Sequence, residues 1–284
     1  MTPPLRVAIQ GVRASFHDMA ARKYFKQQEL QLVECSTFRQ LFQYLHSGEV
    51  DFAVMAIENS VAGSLLTNYM LMEQFKTKIV GEVYQRIELN LMALKGQSLE
   101  DIRYVQSHPM ALLQCDVFLD GLGQVKIIEA HDTAESAKEI MEKGTLGISC
   151  IAGRLAAEEY GLEILASGIE TNHQNYTRFL VLSRGPKPQI HEQPEVTDKA
   201  SLRFETSHAP GRLVAVLKIF EEHGINMTKL QSVPILGRPY HYGFHVDLEW
   251  QDERKYRASL EAMKKESLNV IHFGEYKKDE RPGL

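Results

Sequence analysis

Residues 51–57, DFAVMAI, restrict the fold more than any other stretch of the chain. A run that stays apolar at successive positions cannot turn one face to a core and the other to water. It reads as a strand buried on both faces, the kind found in parallel sheets covered by helices. The flanking sequence supplies those helices. Residues 6–10 and 30–35 read as strands and 16–25 as a helix; Thr37 opens a further helix with Gln40 as its capping-box partner and Gly48 near its end. A helix is expected from about Ser64 to Phe75, and 79–95 is strand-rich.

After Glu100 the alternation restarts. Strands are expected at 103–106, 125–129, 145–150 and 175–183, and helices at 109–119, 133–142 and 154–160, with Asp132 and Glu135 as a second capping box. This order implies an α/β fold with mainly parallel sheets, and its restart suggests two lobes flanking a cleft. Residues 185–199 (GPKPQIHEQPEVTDK) hold three prolines and little apolar content, the composition of a linker. Beyond it, a strand at 202–206 leads to a helix striped by Leu213, Val216, Leu217 and Phe220 and ended by Gly224. Strands at 227–235 and 242–250, a helix at 255–265 and a strand at 270–276 complete a βαββαβ order, that of a ferredoxin-like sandwich.

Composition excludes several classes. The 284 residues are 44% hydrophobic and 24% charged with a net charge of −5, and no basic stripe marks a nucleic-acid footprint. The N-terminal residues carry no apolar core of a signal peptide and no run reaches bilayer length, so the expected location is the cytoplasm, away from membranes. Three cysteines far apart in the sequence fit a reducing compartment. The eleven histidines are scattered; His241 and His245, on an apparent strand without a third ligand, read as residues alternating with apolar neighbours, and no metal or other cofactor is expected.

In open α/β sheets ligands collect beyond the carboxyl ends of strands, where helix N-termini present free N–H groups. Four polar turns occupy such positions: Arg13-Ala14-Ser15, Glu58-Asn59-Ser60, Ser107-His108-Pro109 and Asn175-Tyr176-Thr177-Arg178. Together they offer hydroxyls, amides and one cation, a set suited to a small oxygen-rich anion. No phosphate-cradling glycine loop accompanies them. Taken singly, the commoner reading of each serine is a helix N-cap and of Thr177 a β-branched strand residue, with Arg178 a surface ion-pair partner and Glu58 a loop brace.

The turns resemble a known family. Ile57-Glu58-Asn59-Ser60 with Gly63-Ser64 is similar to the I-E-N-[ST]-x-x-G-[SA] signature of prephenate dehydratases, and Asn175-Tyr176-Thr177-Arg178-Phe179 to their N-x-T-R-F motif. Ser107-His108-Pro109 with Gln114-Cys115 resembles the S-H-P…Q-C segment, and Gly11…Ser15-Phe16 with Ala20-Ala21 the opening loop. Three departures stand out: Ala14 for a glycine, His17-Asp18 for Ser-His, and Met110 for a glutamine.

The resemblance implies a catalytic domain over 1–184 with the two-lobed fold of type II periplasmic binding proteins. One lobe takes about 5–80 and 165–184, the other 81–164. After the linker it implies an ACT domain, a regulatory module, over 200–278. The implied activity is decarboxylating dehydration of prephenate to phenylpyruvate in phenylalanine biosynthesis. Thr177, Arg178, Asn59 and Gln114 would be catalytic, and Ser15, Glu58, Ser60, Ser107 and Phe179 would line the substrate. An L-phenylalanine effector would sit by Ala209, Gly211, Arg212 and Leu213 and by Gln231, Ser232 and Pro234. There the family signatures G-A-L-V and E-S-R-P read Gly211-Arg212-Leu213-Val214 and Gln231-Ser232-Val233-Pro234, the second without its charges. ACT domains imply a homodimer or homotetramer. Arogenate dehydratase and a non-catalytic sensor of small anions or amino acids are the alternatives.

Overall fold

The computed structural model describes residues 3–185 and 196–282. Most of the expected linker, 186–195, lies outside the described residues. The chain divides into two compact units, one built from Met1–Leu65 and Val83–Leu180, the other from Leu66–Glu82 and Val181–Arg281.

In chain order the first half runs β1 (Leu5–Gln10), α1 (Phe16–Tyr24), β2 (Leu30–Cys35), α2 (Phe38–Ser47), β3 (Phe52–Asn59), β4 (Gly63–Ser64), α3 (Leu66–Phe75) and β5 (Lys78–Arg86). Then come β6 (Asn90–Ala93), β7 (Tyr104–Ser107), α4 (Pro109–Gln114), α5 (Asp116–Gly121), β8 (Lys126–Glu129), α6 (Thr133–Lys143), β9 (Ile148–Ala152), α7 (Arg154–Tyr160), β10 (Glu163–Ala166) and β11 (Tyr176–Ser183). One sheet has the order β2-β1-β3-β11-β5, the other β10-β6-β9-β7-β8. The chain therefore leaves the first sheet after β5 and returns to it at β11, which gives the two-lobed α/β architecture expected from the sequence.

The apolar run becomes β3, with Phe52 to Ile57 all buried, flanked by the parallel strand β1. The second sheet is mixed: β7 pairs in parallel with β8 and β9, whereas β6 pairs antiparallel with β9 and β10. Helix ends follow the expected chemistry. Asp132 Oδ1 accepts from the N–H groups of Ala134 and Glu135, and Gly48, Gly144 and Gly161 close α2, α6 and α7 in the left-handed conformation. At Thr37 the box is looser than expected: Thr37 Oγ1 accepts from Gln40 N, but Gln40 Oε1 reaches back to the N–H of Ser36.

Four elements depart from the expectation. The helix over 109–119 is two, broken at Cys115. Strands β4 and β10 appear where none was expected, whereas the strand-rich segment 79–95 holds β5 and β6 as expected. The helix expected from Ser64 begins at Leu66, because Gly63 and Ser64 fold back to pair with Asn59 and Glu58. Gly63, with φ of 84°, makes that reversal without the penalty a Cβ would bring.

The second unit carries β12 (Lys199–Glu205), α8 (Arg212–Glu222), β13 (Asn226–Pro234), β14 (Tyr242–Glu249), α9 (Glu253–Glu266) and β15 (Leu268–Tyr276) in a sheet of order β13-β14-β12-β15. Its strands are antiparallel and form the ferredoxin-like βαββαβ sandwich. One sheet face supplies Ala200, Leu202, Phe204, Val246 and Leu248 to a core shared with Val216, Phe220 and Tyr256.

The other face is polar yet also buried. Along β12 the alternate residues Lys199, Ser201, Arg203 and Glu205 are all at most 7% exposed. Two of them, Arg203 and Lys199, meet α3 and β5 respectively. Glu73 lies 2.9 Å from both Arg203 Nε and His245 Nε2, and Glu82 2.9 Å from Lys199 Nζ. Desolvation lowers the His245 pKa.

Cys35 ends β2, Cys115 sits between α4 and α5, and Cys150 lies within β9; all three are buried and free. Burial pushes their thiols up, to about 12 for Cys35 and Cys115. Among the described residues no helix is long and apolar enough to cross a membrane, and no group of three or more His, Cys, Asp or Glu could hold a metal ion.

Candidate active site

The lobes of the first unit meet where side chains are smallest. A Cβ on Gly11 would lie 2.8 Å from Asp132 Oδ2, and one on Gly153 would lie 3.2 Å from the Phe16 ring. The Tyr160 hydroxyl donates to Arg13 O across the same seam. Burial raises the Asp132 carboxyl pKa there.

The loop before α1 is shaped by its own side chains. Ala14, at the position where the family usually has glycine, takes φ of 64°, the left-handed region that glycine enters without strain. Its N–H donates to Asp18 Oδ2, and Arg22 holds the same carboxylate through Nε at 2.6 Å. Ser15 caps α1 by accepting from Asp18 N. His17 points away into the core, where Nε2 accepts from Ala56 N and the ring meets Phe179 edge-on at 4.9 Å. Desolvation lowers its pKa to about 3. The His17-Asp18 pair thus packs and braces the loop.

At the end of β3, Asn59 folds into an Asx turn, its Oδ1 accepting from Val61 N at 3.0 Å and Ala62 N at 2.8 Å. Both amides are thereby taken up by Asn59 and are not free for a ligand. With Oδ1 committed, the Nδ2 end must donate outward. It does so to Asn175 Oδ1 at 2.7 Å and Thr177 Oγ1 at 2.9 Å. Asn175 in turn donates to Gln114 Oε1 at 2.9 Å. Asn59, Gln114 and Thr177 are therefore in one hydrogen-bonded group, drawn from the ends of β3 and α4 and the start of β11.

The other expected residues surround or support that group. Ser60 Oγ donates to Gln174 O and accepts from Tyr176 N, pinning the loop before β11 to β3. Ser107 is fully buried and donates to Ile151 O. Glu58 is half-buried and pairs through its backbone with Ser64. Alternation along β11 puts Thr177 and Phe179 on one face and Arg178, 4% exposed, on the other. Asn175, 1% exposed, opens the motif that contains Thr177, although the sequence assigns it no site role of its own. Glu170, also buried, accepts from Leu89 N and lies 3.5 Å from Arg86.

In the second unit a cavity of about 220 Å³ is lined by Ala209, Gly211, Arg212, Leu213, His208 and His241, among others. Gln231, Ser232 and Pro234 lie on β13 and do not line this cavity.

This architecture, two α/β lobes with a polar group at their junction and a ferredoxin-like C-terminal unit, is that of the solved prephenate dehydratases. Residues 7–187 match the family described as prephenate dehydratase. The chain belongs to the prephenate dehydratase family. It is 36% identical over 259 residues to an arogenate dehydratase/prephenate dehydratase of Arabidopsis thaliana, aligning 86% of this chain but 64% of that protein, so it spans under two-thirds of that relative's length. Among solved structures it resembles GqqA, described as a novel type of quorum quenching acylase, with TM-score 0.84 and 31% identity over 96% of this chain and 98% of that one. It also resembles the prephenate dehydratase of Arthrobacter aurescens in complex with L-Phe, with TM-score 0.83 and 25% identity over 99% and 92%.

Proposed function

We propose that the chain is a prephenate dehydratase acting in phenylalanine biosynthesis in the cytoplasm. Prephenate carries a ring carboxylate, a pyruvyl carboxylate and a ring hydroxyl. The bond from the ring to its carboxylate breaks, the electron pair moves into the ring, and the hydroxyl leaves. With one proton taken up, the products are phenylpyruvate, carbon dioxide and water. Aromatisation drives the reaction, so the protein has to hold the dianion and assist departure of the hydroxyl.

The observation that carries this reading is the bond from Asn59 Nδ2 to Thr177 Oγ1. Because Thr177 accepts there, its own proton is directed elsewhere, toward the leaving oxygen. A Thr hydroxyl is a weak acid, so orientation of a hydrogen bond is its main contribution. The N-terminus of α1 behind Ser15 is the proposed carboxylate partner; Arg178, buried on the face of β11 away from Thr177, is proposed to hold the strand in place. Asn59 and Gln114 position the ring; Glu58, Ser60, Ser107 and Phe179 hold the walls in place. The proposed division is a catalytic domain over 1–184, a linker over 185–199 and an ACT domain over 200–278. That module would take L-phenylalanine, a reading supported by the L-Phe complex of the Arthrobacter aurescens relative, and would assemble the chain into dimers or tetramers.

A second reading, acyl-bond hydrolysis, takes its support from the likeness to GqqA. It would require a nucleophile that hands its proton to a base. Thr177 instead receives a hydrogen bond from an amide, which favours the elimination. The test is incubation with prephenate, arogenate and an N-acyl homoserine lactone in parallel. Phenylpyruvate formation from prephenate, abolished in Thr177→Ala, is the expected result; undiminished turnover in that variant would remove Thr177 from the chemistry.

A further inference from the structure

The hydrogen bonds around Thr177 close on themselves. Asn59 Nδ2 donates to Asn175 Oδ1 at 2.7 Å, Asn175 Nδ2 donates to Gln114 Oε1 at 2.9 Å, and Gln114 Nε2 returns to Asn59 Oδ1 at 3.5 Å. Three carboxamides thus form a ring in which each donates to the next. An amide ring of this kind has two senses of circulation, and here one is selected from outside. The backbone N–H groups of Val61 and Ala62 both point at Asn59 Oδ1, so reversing that amide would set donor against donor twice. The selected sense brings Asn59 Nδ2 to Thr177 Oγ1.

From this we infer that Asn175 is a positioning residue for the dehydration, the member that closes the ring and fixes the direction in which the Thr177 hydroxyl donates. It is placed for that task. Its side chain is 1% exposed, and its backbone oxygen accepts from Ile87 N, so the segment entering β11 is tied to the segment leaving β5. Gln114, the third member, is anchored by its own backbone oxygen, which accepts from Thr171 N. The ring therefore joins the exit of β3, the entry of β11 and the end of α4. Asn175 touches two amides and acts on the reaction only through them. The inference rests on the dehydratase reading above.

An isosteric change separates this role from simple packing. In Asn175→Asp the new carboxylate still accepts from Asn59 but can no longer donate to Gln114. The circulation is broken at unchanged volume. The expected result with prephenate is a fall in kcat of about 10²-fold, as for loss of one preorganised donor, with KM changed by less than about threefold. Acidification should restore kcat in part, because a protonated Asp regains the proton that Gln114 accepts. The ionisable groups on flanking elements are Glu170 and His173 on the preceding loop, Arg86 of β5 and Glu58 of β3. All are present in the parent, whose pH profile is the control.

Unchanged kcat in Asn175→Asp, or a fall without recovery on acidification, would overturn the inference. If Asn175→Asp fails to fold by thermal unfolding, Asn175→Ser provides the comparison: it should lose kcat, with KM spared, and gain no acid recovery. Equal loss in kcat and rise in KM would then refute the positioning role. A parent protein that does not convert prephenate at all would instead remove the dehydratase reading itself.

Discussion

The ammonium of Lys199 lies 2.9 Å from a carboxylate oxygen of Glu82, with side-chain exposures of 1% and 0%. A second acid, Glu249, stands 3.4 Å from the same nitrogen and is also held by Lys278 and Arg281. Charges so buried are stable only while paired. Lys199→Met is expected to cost about 3–5 kcal/mol in urea unfolding, because it strands Glu82 in a dry site. Adding Glu82→Leu should recover most of that loss. A double variant as unstable as the single one would show that the pair is not what the second unit depends on.

Acid should weaken the first unit through His17. Its folded-state pKa is about 3 because burial excludes the charged ring, against about 6.5 in an unfolded chain. The stabilisation is present above the unfolded value. It is lost as the pH falls from about 6.5 toward the folded value, at about 1.4 kcal/mol per unit. Moving from pH 7 to pH 5 should therefore remove about 2 kcal/mol through this residue alone. His17→Gln, which keeps an acceptor for Ala56 N, should flatten that limb of the stability curve measured by denaturant midpoint.

Two strand glycines are expected to respond differently to alanine. At Gly274 a Cβ would overlap the Ile79 carbonyl oxygen, and at Gly243 it would overlap the Arg203 guanidinium. The first obstacle is backbone and the second is the end of a flexible side chain. Gly274→Ala should therefore cost about 3 kcal/mol or more and Gly243→Ala about 1–2 kcal/mol. Thermal unfolding of both proteins decides it, and the reverse order would refute the account.

Substitutions at Thr177 should separate hydroxyl from shape. Thr177→Ser keeps the acceptor for Asn59 Nδ2 and should hold kcat within about tenfold. Thr177→Val keeps the volume and should lose about 10³-fold in prephenate turnover, within the range for a positioned proton donor. Equal activity in the two would sink the proposed role of the hydroxyl.

Much of this was legible from local patterns. The all-apolar β3, the Asp132 cap and Gly48 after α2 depend on near neighbours, and each appears as expected. β10 was missed because its four residues are short and only partly buried, so no periodicity marks it. The placing of α3 and the first half of β5 with the second unit goes with ion pairs such as Glu73–Arg203 and Glu82–Lys199. Those partners are remote in sequence, and charged residues alternating along a strand read as a solvated face until something covers them. Asn175 was visible as part of a motif, but its task depends on which way two other amides turn.

The three buried cysteines give the chain a property unrelated to its chemistry. A thiol whose pKa has been pushed to about 12, as at Cys35 and Cys115, is scarcely nucleophilic at neutral pH, and Cys150 is shifted further in the same direction. An alkylating reagent reaches them only when the surrounding structure opens. Cys35 closes a strand of one lobe while Cys150 lies inside a strand of the other. Their labelling rates are thus two separate clocks in one molecule, and comparing them tells whether the lobes melt together or one at a time.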